Sequence, residues 1–363
     1  MNNTVCGFIG LGLIGGSIAR ALKAGAPDTK IIAYDPNDDS LALAKEEGIA
    51  DITVNQIDAS FTDCNYIFLC APVEINDQNL LLLKPFLNSG TTLTDIGSVK
   101  TDIHLHIHEM GLDEQFIGGH PMTGTERVGF QNSKAQLLEN AYYILTKTSL
   151  TSEKRLEDYY DLVKKMGALP LVVSYEQHDY ITAAISHLPH VISACLVNLI
   201  RESDSPDGLM KMIAAGGFKD ITRISSSSPV MWQQICLTNG ENISALLSEY
   251  ISALSNMKTA IDEQDSNTLY NLFDSARKYR DSFIDVSSGP IKKVYALHVD
   301  IADQPGMLAA VATLLAVHYI NIRNIGIVHN REYERGTLRI EFHEEKDIFI
   351  ASELLKSHGY VIS

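Results

Sequence analysis

Short apolar runs alternate with stretches of helical periodicity through the first half of the chain. The runs that predict β-strands are Val5–Ile9, Lys30–Tyr34, Tyr66–Cys70, Thr91–Asp95, Ala141–Thr146 and Leu171–Ser174. Short β-rich runs that alternate with helices are typical of a doubly wound α/β sheet. The pattern therefore predicts one α/β domain over residues 1–175.

After residue 175 the pattern changes to long helical periodicity with almost no strand signal. One apolar stripe at helical spacing consists of Ile243, Leu246, Leu247, Tyr250, Ile251 and Leu254. Such a stripe is buried against other helices, either in the same chain or in a second copy. We expect residues 176–288 to form an all-helical domain that binds substrate and mediates a homodimer, with a monomeric bundle as the alternative.

A second α/β alternation begins after the helix-breaking segment Ser287–Pro290. It predicts strands at Val294–Val299, Ile320–Ile327, Thr337–Phe342 and Tyr360–Ile362, and helices at Met307–His318 and Lys346–His358. The order βαββαβ predicts a ferredoxin-like domain over residues 289–363. With its turn Asp303-Gln304-Pro305-Gly306 before the first helix, this segment resembles the ACT domain, a regulatory module that commonly binds amino acids at that loop.

Composition narrows the choice of partners. The chain of 363 residues carries 29 basic and 45 acidic side chains, a net charge of −16. This balance argues against nucleic acid or an anionic membrane as a partner, although a local basic pocket can still bind a small anion. Five cysteines without a CxxC pair indicate reduced thiols in a cytoplasmic protein and no cysteine zinc site. We expect no membrane span, because no stretch approaches 18 uncharged apolar residues.

The first predicted strand leads into the turn Gly10-Leu11-Gly12-Leu13-Ile14-Gly15-Gly16-Ser17 and then into a helix. Gly10 suits the tight turn, Gly12 lets a pyrophosphate approach the backbone, and Gly15 lets the helix pack closely on the strand. Leu13 and Ile14 begin the helix, whose positive end favours phosphate. Glycine triplets also occur in ordinary turns, but this position between a strand and a helix predicts a dinucleotide-binding, Rossmann-type domain.

Three further residues complete the predicted cofactor site. Asp35 ends the second strand, 25 residues after Gly10. A carboxylate there accepts hydrogen bonds from the ribose hydroxyls and repels a 2′-phosphate, so we expect NAD rather than NADP. Ala71 and Pro72 directly follow the strand at Tyr66–Cys70, at the carboxyl edge of the sheet where ligands bind.

The segment Gly118-Gly119-His120-Pro121-Met122-Thr123-Gly124-Thr125-Glu126 carries a candidate base. We expect His120 on a loop after the strand around Phe116 and Ile117. An ordinary histidine pKa of about 6.5 suits proton removal at neutral pH, although most histidines are solvated or make one structural hydrogen bond. Thr125 and Glu126 either position the substrate and neighbouring side chains or serve only as turn residues.

A basic cluster lies in Gly216-Gly217-Phe218-Lys219-Asp220-Ile221-Thr222-Arg223-Ile224, with Trp232 nine residues after the arginine. Lys219 and Arg223 are four residues apart, so on one helical turn both cations project to one side. That arrangement suits a dianionic substrate. A solvated basic face paired with Asp220 is the simpler interpretation of the spacing alone.

Two groups of histidines remain. His187 and His190 flank a proline, which leaves their relative direction open. His104, His106 and His108 alternate with apolar residues, which places them on one face only in a strand. The segment after Lys100 fits a helix better, where these side chains point apart, so we predict no metal site.

Together, these motifs resemble the prephenate dehydrogenase family of tyrosine biosynthesis. The matching segments are GLGLIGGS at 10–17, DIGSVK at 95–100, GGHPMTGTE at 118–126, SHLPH at 186–190, GGFKDITRI at 216–224 and Trp232. The C-terminal segment adds a resemblance to the subgroup that carries an ACT domain. The chain has no chorismate-mutase-like helical extension, which argues against a bifunctional enzyme.

The resemblance implies oxidative decarboxylation of prephenate to 4-hydroxyphenylpyruvate, with NAD taking hydride from the ring carbon that bears the hydroxyl. It also implies that His120 accepts the hydroxyl proton, that Ser98 supports both groups, and that Arg223 binds a substrate carboxylate. The other substrate-site residues that it implies are Lys219, His190, Thr125, Glu126, Gly216 and Trp232.

The sequence leaves two alternatives open. Arogenate dehydrogenase performs the same chemistry on the amino-acid analogue of prephenate, and no residue separates the two activities. A non-catalytic regulator that binds NAD and an amino acid is disfavoured by the joint presence of His120, Ser98 and Arg223. We expect the ACT-like segment to bind tyrosine, the pathway product, and to lower activity.

Overall fold

The computed structural model describes residues 4–125, 127–282, 295–302, 304–330 and 336–362. The chain divides into two compact units, Met1–Gln264 and Asp265–Ser363. The first unit contains the predicted α/β domain and most of the predicted helical domain. The predicted break at Ser287–Pro290 lies outside the described residues.

A five-stranded parallel sheet forms the core of the first unit. Its strands are β1 (Val5–Ile9), β2 (Lys30–Tyr34), β3 (Ile52–Val54), β4 (Tyr66–Leu69) and β5 (Thr92–Asp95), in the order β3-β2-β1-β4-β5. Phe8 of β1 pairs with Ala33 of β2 on one side and with Phe68 of β4 on the other. The strand order reverses between β1 and β4, which is where a doubly wound sheet binds its ligand. The predicted Rossmann-like sheet is confirmed.

A smaller sheet follows, with strands β6 (Ile117–Pro121), β7 (Tyr142–Lys147) and β8 (Leu169–Val172) in that order. Strands β6 and β7 are antiparallel, which departs from an all-parallel sheet, whereas β7 and β8 are parallel. One parallel bridge between Leu93 and Phe116 joins β5 to this extension. As a result, β6 lies beside β5 and its carboxyl-terminal residues.

Five helices cover the two faces of the parallel sheet: α1 (Leu13–Gly25), α2 (Asp38–Glu46), α3 (Val73–Leu83), α4 (Thr101–Glu109) and α5 (Glu153–Lys165). Side chains alternate along each strand. Phe8 therefore enters one buried cluster with Leu22 of α1, whereas the adjacent Ile9 enters the other with Ile107 of α4. Burial on both faces explains why the central strands β1 and β4 consist mainly of apolar residues.

The rest of the first unit is helical, with α6 (Tyr175–Thr182), a π-helical turn (Ala183–His187), α7 (Leu188–Ser203), α8 (Leu209–Ile213), α9 (Gly216–Thr222), α10 (Pro229–Thr238) and α11 (Gly240–Asp262). A capping box between Ser174 and Gln177 starts α6. On α11, Ile243 is buried, whereas Ile251 and Leu254 of the same stripe are 55% and 50% exposed. This exposed apolar face fits the predicted contact with a second chain.

One helical run among the described residues, Tyr175–Ser203, is long and apolar enough to cross a membrane, with a mean hydropathy of 1.6. The sequence reasoning did not single out this run. Core helices of water-soluble proteins pass the same test. The run carries the buried polar side chains His178, Asp179 and His187, and all three make hydrogen bonds within the first unit.

The second unit contains α12 (Ser266–Ser282), β9 (Tyr295–Ile301), α13 (Met307–Val317), β10 (Ile322–Asn330), β11 (Gly336–Phe342), α14 (Glu345–Ser357) and β12 (Val361–Ile362). The strands form an antiparallel sheet in the order β10-β11-β9-β12. Val299 and Leu338 of the sheet pack with Val311 of α13 and Leu355 of α14 in one apolar core. The predicted βαββαβ order is confirmed for the described residues.

Candidate active site

The glycine turn between β1 and α1 leaves room for a ligand at one position. Gly10 has φ +98°, and an ideal Cβ on Gly15 would lie 2.9 Å from the Gly10 carbonyl oxygen. These two glycines are therefore required by the turn and by the packing of the helix on the strand. An ideal Cβ on Gly12 meets nothing within 4 Å, so the backbone there faces open space.

Asp35 lies directly beside this turn. The Leu11 N–H donates to Asp35 Oδ2 at 2.6 Å, and the Asn37 N–H donates to Oδ1 at 2.8 Å. Leu13 and Ile14 form the first turn of α1, which has no acidic side chain there. The positive helix end, the open space at Gly12 and the carboxylate together fit the pyrophosphate and ribose of NAD.

A cleft of about 360 Å³ lies at the carboxyl edge of the parallel sheet. Ala71 and Pro72 after β4 and Ser98 after β5 line one side of it. Met231 and Gln234 of α10 line the other side. The fold therefore brings predicted cofactor residues, a predicted catalytic residue and the helical part of the unit to one cleft.

His120 lies within strand β6, where it pairs with Ile144 of β7. The expectation that it lies on a loop is wrong. The two preceding glycines are compatible with a strand because each is packed tightly. An ideal Cβ on Gly118 would lie 2.3 Å from Thr146 Oγ1, and one on Gly119 would lie 2.7 Å from the Asp95 carbonyl oxygen. Glycine here serves close packing in a sheet, and a strand positions the imidazole more rigidly than a loop.

A chain of hydrogen bonds leads from His120 to a buried carboxylate. His120 Nδ1 and His178 Nε2 are 2.8 Å apart, and His178 Nδ1 is 2.7 Å from Asp179 Oδ1. Asp179 also accepts hydrogen bonds from the backbone N–H groups of Lys100 and Thr101, both at 2.7 Å. The sequence reasoning missed His178 and Asp179. The signal present was an adjacent His-Asp pair in the first turns of a helix that follows a strand of the same domain.

The chain fixes the tautomer of each imidazole. An ionised Asp179 only accepts hydrogen bonds, so His178 Nδ1 carries a proton and its Nε2 is an acceptor. His120 Nδ1 must then be the donor, which leaves Nε2 of a neutral His120 with a free lone pair. His120 is thereby arranged as a proton acceptor.

Burial and neighbouring charges keep this chain in that state. The pKa of His120 is held well below 6.5, first by burial and then by His178, Lys100 and His187. Burial also lowers the pKa of His178, against the opposing effect of Asp179. Burial alone would raise the pKa of Asp179, but hydrogen bonds from His178, Thr101 and the backbone lower it overall. Both histidines are therefore neutral, and Asp179 is ionised, at pH 7.

A second group of predicted residues surrounds Trp232 on α10. The His190 ring stacks on the Trp232 ring with centroids 3.7 Å apart, and the His187 ring contacts its edge at 5.9 Å. Burial lowers the pKa of His190, and the nearby Arg223 cation lowers it further. The Trp232 Nε1 atom is buried and has no hydrogen-bond partner in the described part of the chain. The indole N–H is thus a buried donor that the described residues leave unsatisfied.

The spacing of Lys219 and Arg223 suggested that both lie on one regular helix, but they do not. Gly216 begins α9, Lys219 lies within it, and Arg223 begins a 3-10 turn after its end at Thr222. Both basic side chains are exposed in the single chain. Arg223 is nevertheless near enough to His190 to affect its pKa, which groups it with Trp232.

The remaining predicted residues are Thr125, Glu126 and the turn before α13. Thr125 is exposed, and its Oγ1 accepts the Arg127 N–H at 3.2 Å. Glu126 and Asp303 lie outside the described residues. In the second unit, a cavity of about 400 Å³ is lined by Gln304, Pro305, Gly306, Ile301, Met307 and Ile327.

The three alternating histidines lie on helix α4, as predicted. His104 is buried against Thr146, whereas His106 and His108 pair with Asp77 and Asp113 respectively. Among the described residues, no group of three or more histidine, cysteine or carboxylate side chains is arranged to hold a metal ion.

Comparison with known proteins connects this geometry to one family. The family model described as "Prephenate dehydrogenase, nucleotide-binding domain" matches residues 18–172, and "Prephenate dehydrogenase, dimerization domain" matches residues 174–275. The chain is 37% identical over 364 aligned residues to the prephenate dehydrogenase of Bacillus subtilis (strain 168), which covers 99% of this chain and 97% of that protein.

Solved structures agree. Prephenate dehydrogenase from A. aeolicus, crystallised with hydroxyphenyl propionate and NAD+, matches with a TM-score of 0.73 and 31% identity, over 78% of this chain and 99% of that chain. Synechocystis arogenate dehydrogenase matches with a TM-score of 0.70 and 28% identity, over 77% of this chain and 100% of that chain.

Proposed function

The chain belongs to the prephenate dehydrogenase family, and we propose that His120 is the general base of its NAD-dependent oxidation of prephenate to 4-hydroxyphenylpyruvate. The observation that supports this role is the hydrogen-bonded chain from His120 through His178 to Asp179. The carboxylate orients both imidazoles, and the lowered pKa of His120 keeps it able to accept a proton at neutral pH.

In the proposed reaction, NAD bound at the glycine turn supplies the acceptor for the hydride of the ring carbon that bears the hydroxyl. His120 Nε2 accepts the hydroxyl proton as that carbon gains carbonyl character, and Ser98 donates a hydrogen bond to the same oxygen. The ring carboxylate then leaves as carbon dioxide, and the electron pair of the broken bond makes the ring aromatic. His120 returns the proton to the oxygen, which becomes the phenol.

The substrate site in this proposal combines cations with the aromatic surface of Trp232. Prephenate carries two carboxylates, and Arg223 binds one of them through paired hydrogen bonds from its planar guanidinium group. Lys219, His190, Gly216, Thr125 and Glu126 complete the proposed substrate residues. The buried indole N–H of Trp232, which has no partner among the described residues, supports a polar ligand atom at this position.

We assign residues 1–175 to nucleotide binding, 176–288 to substrate binding and dimerisation, and 289–363 to regulation. The match of residues 174–275 to a dimerisation domain supports a homodimer through the helical part. The exposed apolar residues Ile251 and Leu254 of α11 are the proposed contact surface. A cytoplasmic location belongs to the same proposal, since the substrate and NAD are metabolites of that compartment.

Residues 289–363, within the second unit, are proposed to be an ACT domain that binds tyrosine and lowers activity. Its cavity of about 400 Å³ lies at the turn before α13, where the resemblance to ACT domains puts the ligand. Gly306 has φ +90°, which favours glycine at this turn. The aliphatic lining from Ile301, Met307 and Ile327 suits an aromatic side chain.

The test is His120→Asn, assayed by NADH formation with prephenate and, separately, with arogenate. We expect kcat with the preferred substrate to fall by about 10²- to 10⁴-fold while KM changes little. The matched control is His108→Asn on α4, because this histidine is 76% exposed and pairs only with Asp113. An unchanged kcat in His120→Asn would refute the base assignment, and the two substrates decide between prephenate and arogenate.

A further inference from the structure

Lys100 is fully buried beside the proposed catalytic histidine. Its side chain is 0% exposed, and its ammonium group pairs with Asp95, whose side chain is 4% exposed. Among the described residues, a fully buried lysine is exceptional, since lysine is almost never completely buried unless it is paired. The pair lies between β5, where Asp95 ends the strand, and the N-terminus of α4.

The pair ties together the segments that carry the proposed chemistry. Asp95 Oδ2 accepts the Gly97 N–H at 2.9 Å, next to Ser98. Asp95 Oδ1 accepts the Gly119 N–H at 3.2 Å, one residue before His120. The backbone N–H of Lys100 donates to Asp179 at the end of the histidine chain. The Asp95 carboxylate therefore contacts the loop of Ser98 and the strand of His120, and the backbone of Lys100 contacts the helix of Asp179.

The glycines before His120 make room for this pair. An ideal Cβ on Gly118 would lie 3.1 Å from Lys100 Cδ, and one on Gly119 would lie 2.7 Å from the Asp95 carbonyl oxygen. Larger residues at either position would displace the lysine stem or the β5 backbone. The sequence Gly118-Gly119-His120 thus accommodates the buried pair as well as the sheet.

Stability alone explains this arrangement poorly. Removing two charges from water is costly, and replacing a buried ion pair by apolar side chains of similar size is often neutral or stabilising. The Lys100–Asp95 pair is retained beside His120 despite the cost of removing its charges from water, which points to a role in the reaction.

We propose that Lys100 is a positioning residue for the reaction, whose ammonium group holds the Asp95 carboxylate where it fixes the His120 strand against the Ser98 loop. This inference rests on the proposed role of His120 as the base. The charged and titratable groups around His120 are His178 and His187 from the helices, and Lys100 and Asp95 from the β5–α4 connection. Burial and His178 contribute more to the lowered pKa of His120 than Lys100 does, but both histidines are neutral at pH 7, so the positive charge in this group is that of Lys100.

The direction of the pH effect follows from the charge. Lys100 disfavours protonation of His120 and contributes to its lowered pKa. Loss of the ammonium group raises the pKa of His120, so a larger fraction is protonated, and unable to act as a base, in weakly acidic solution. The acid limb of the kcat/KM profile therefore moves to higher pH.

The experiment compares Lys100→Met with the double variant Asp95→Asn/Lys100→Met, which removes both charges and so avoids an unpaired buried carboxylate. For both, we expect kcat to fall by about 10- to 100-fold. The acid limb should move up by about one pH unit in Lys100→Met, and by less in the double variant, because the opposing negative charge of Asp95 is lost together with the ammonium group. If Lys100→Met does not fold, as judged by thermal melting, the double variant decides the result.

Arg155→Met is the matched control. Arg155 is a partly buried cation that donates to the Thr91 carbonyl and to Thr92 at the opposite end of β5. Its replacement is expected to leave the acid limb in place. A folded double variant with wild-type kcat and acid limb would overturn the inference. If His120→Asn is itself fully active, the proposed function fails instead, so the two failures are distinguishable.

Discussion

Asp179→Asn tests the histidine chain by changing one atom of a packed carboxylate. The Asp179 side chain is 1% exposed. It accepts hydrogen bonds from His178, from the Lys100 N–H at Oδ1, and from the Thr101 N–H and hydroxyl at Oδ2. Asparagine keeps the shape of the side chain but offers a single acceptor oxygen and an NH₂ group.

The cost to stability follows from these contacts. The Lys100 and Thr101 N–H groups face different oxygens of Asp179, so one of them must meet the amide NH₂ of the variant. An unsatisfied buried donor costs about 1–3 kcal/mol, and a lost hydrogen bond to a charged group about 1.5–3 kcal/mol. We expect the free energy of unfolding to fall by about 2–5 kcal/mol, measured by denaturant or thermal unfolding.

The cost to catalysis has a separate origin. With the NH₂ group in the place of Oδ1, it faces His178 Nδ1 and favours the tautomer with the proton on Nε2, which then points at His120 Nδ1. His120 must accept there and carries its proton on Nε2, so it cannot take one from the substrate. We expect kcat to fall by about 10²- to 10⁴-fold with little change in KM. The matched control is Asp77→Asn, which breaks the partly exposed pair with His106 at 2.7 Å. A folded Asp179→Asn variant with wild-type kcat would refute the reasoning.

Three further predictions concern other parts of the molecule. Gly12→Val is expected to retain the melting temperature of the wild type, because an ideal Cβ there meets nothing within 4 Å. The same variant is expected to raise KM for NAD severalfold, and an unchanged KM would place the pyrophosphate elsewhere. Arg223→Ala is expected to raise KM for prephenate more than it lowers kcat, and unaltered saturation by prephenate would contradict its role. Millimolar tyrosine is expected to raise the melting temperature of the wild type and to lower its activity. Both effects should be absent in Gly306→Val. If tyrosine changes neither the melting temperature nor the activity of the wild type, the proposed tyrosine site is contradicted.

The stability of the wild type should also depend on pH through Asp179. Hydrogen bonds lower the folded-state pKa of Asp179 below its ordinary value of 3.8. A depressed carboxyl pKa contributes stability that is fully present above the ordinary value and is lost as the pH falls through the folded-state pKa. Between neutral pH and pH values below 3.8, the melting temperature of the wild type should therefore fall more than that of Asp179→Asn. If the melting temperatures of the wild type and of Asp179→Asn fall equally with pH, Asp179 does not make this contribution to stability.

The parts of the fold that were predicted correctly have strong local patterns. Strands β1 and β2 begin and end at the predicted residues because uninterrupted apolar runs lie between polar or glycine residues. Strand β3 was not predicted, since Ile52–Val54 is only three residues long and half-buried. Strand β8 begins two residues before its predicted start. It ends at Val172 because Ser174 is the N-cap residue of α6.

The candidate site was harder to predict where it depends on tertiary packing. The glycine turn needs a positive φ at Gly10 and close packing at Gly15, and both needs are visible in the local sequence between a strand and a helix. His120 was expected on a loop after the strand around Phe116 and Ile117, whereas the strand continues through it, with glycines that admit the buried lysine and the neighbouring backbone. His178 is 58 residues away in sequence from its hydrogen-bond partner His120, and only the packing of α6 against β6 and α4 brings the two together.

On helix α6, Asp179 makes hydrogen bonds both to the nucleotide-binding domain and to the helical part. The Asp179 carboxylate caps the N-terminus of α4, whose N-cap residue Lys100 makes no side-chain cap of its own. The Asp179 backbone carbonyl accepts a hydrogen bond from Asn239, which also contacts the buried His187. A shift of α6 would therefore move the His120 chain and the surroundings of Trp232 together. This connection links the strand of the proposed base to the helices around Trp232, where the proposed substrate residues lie.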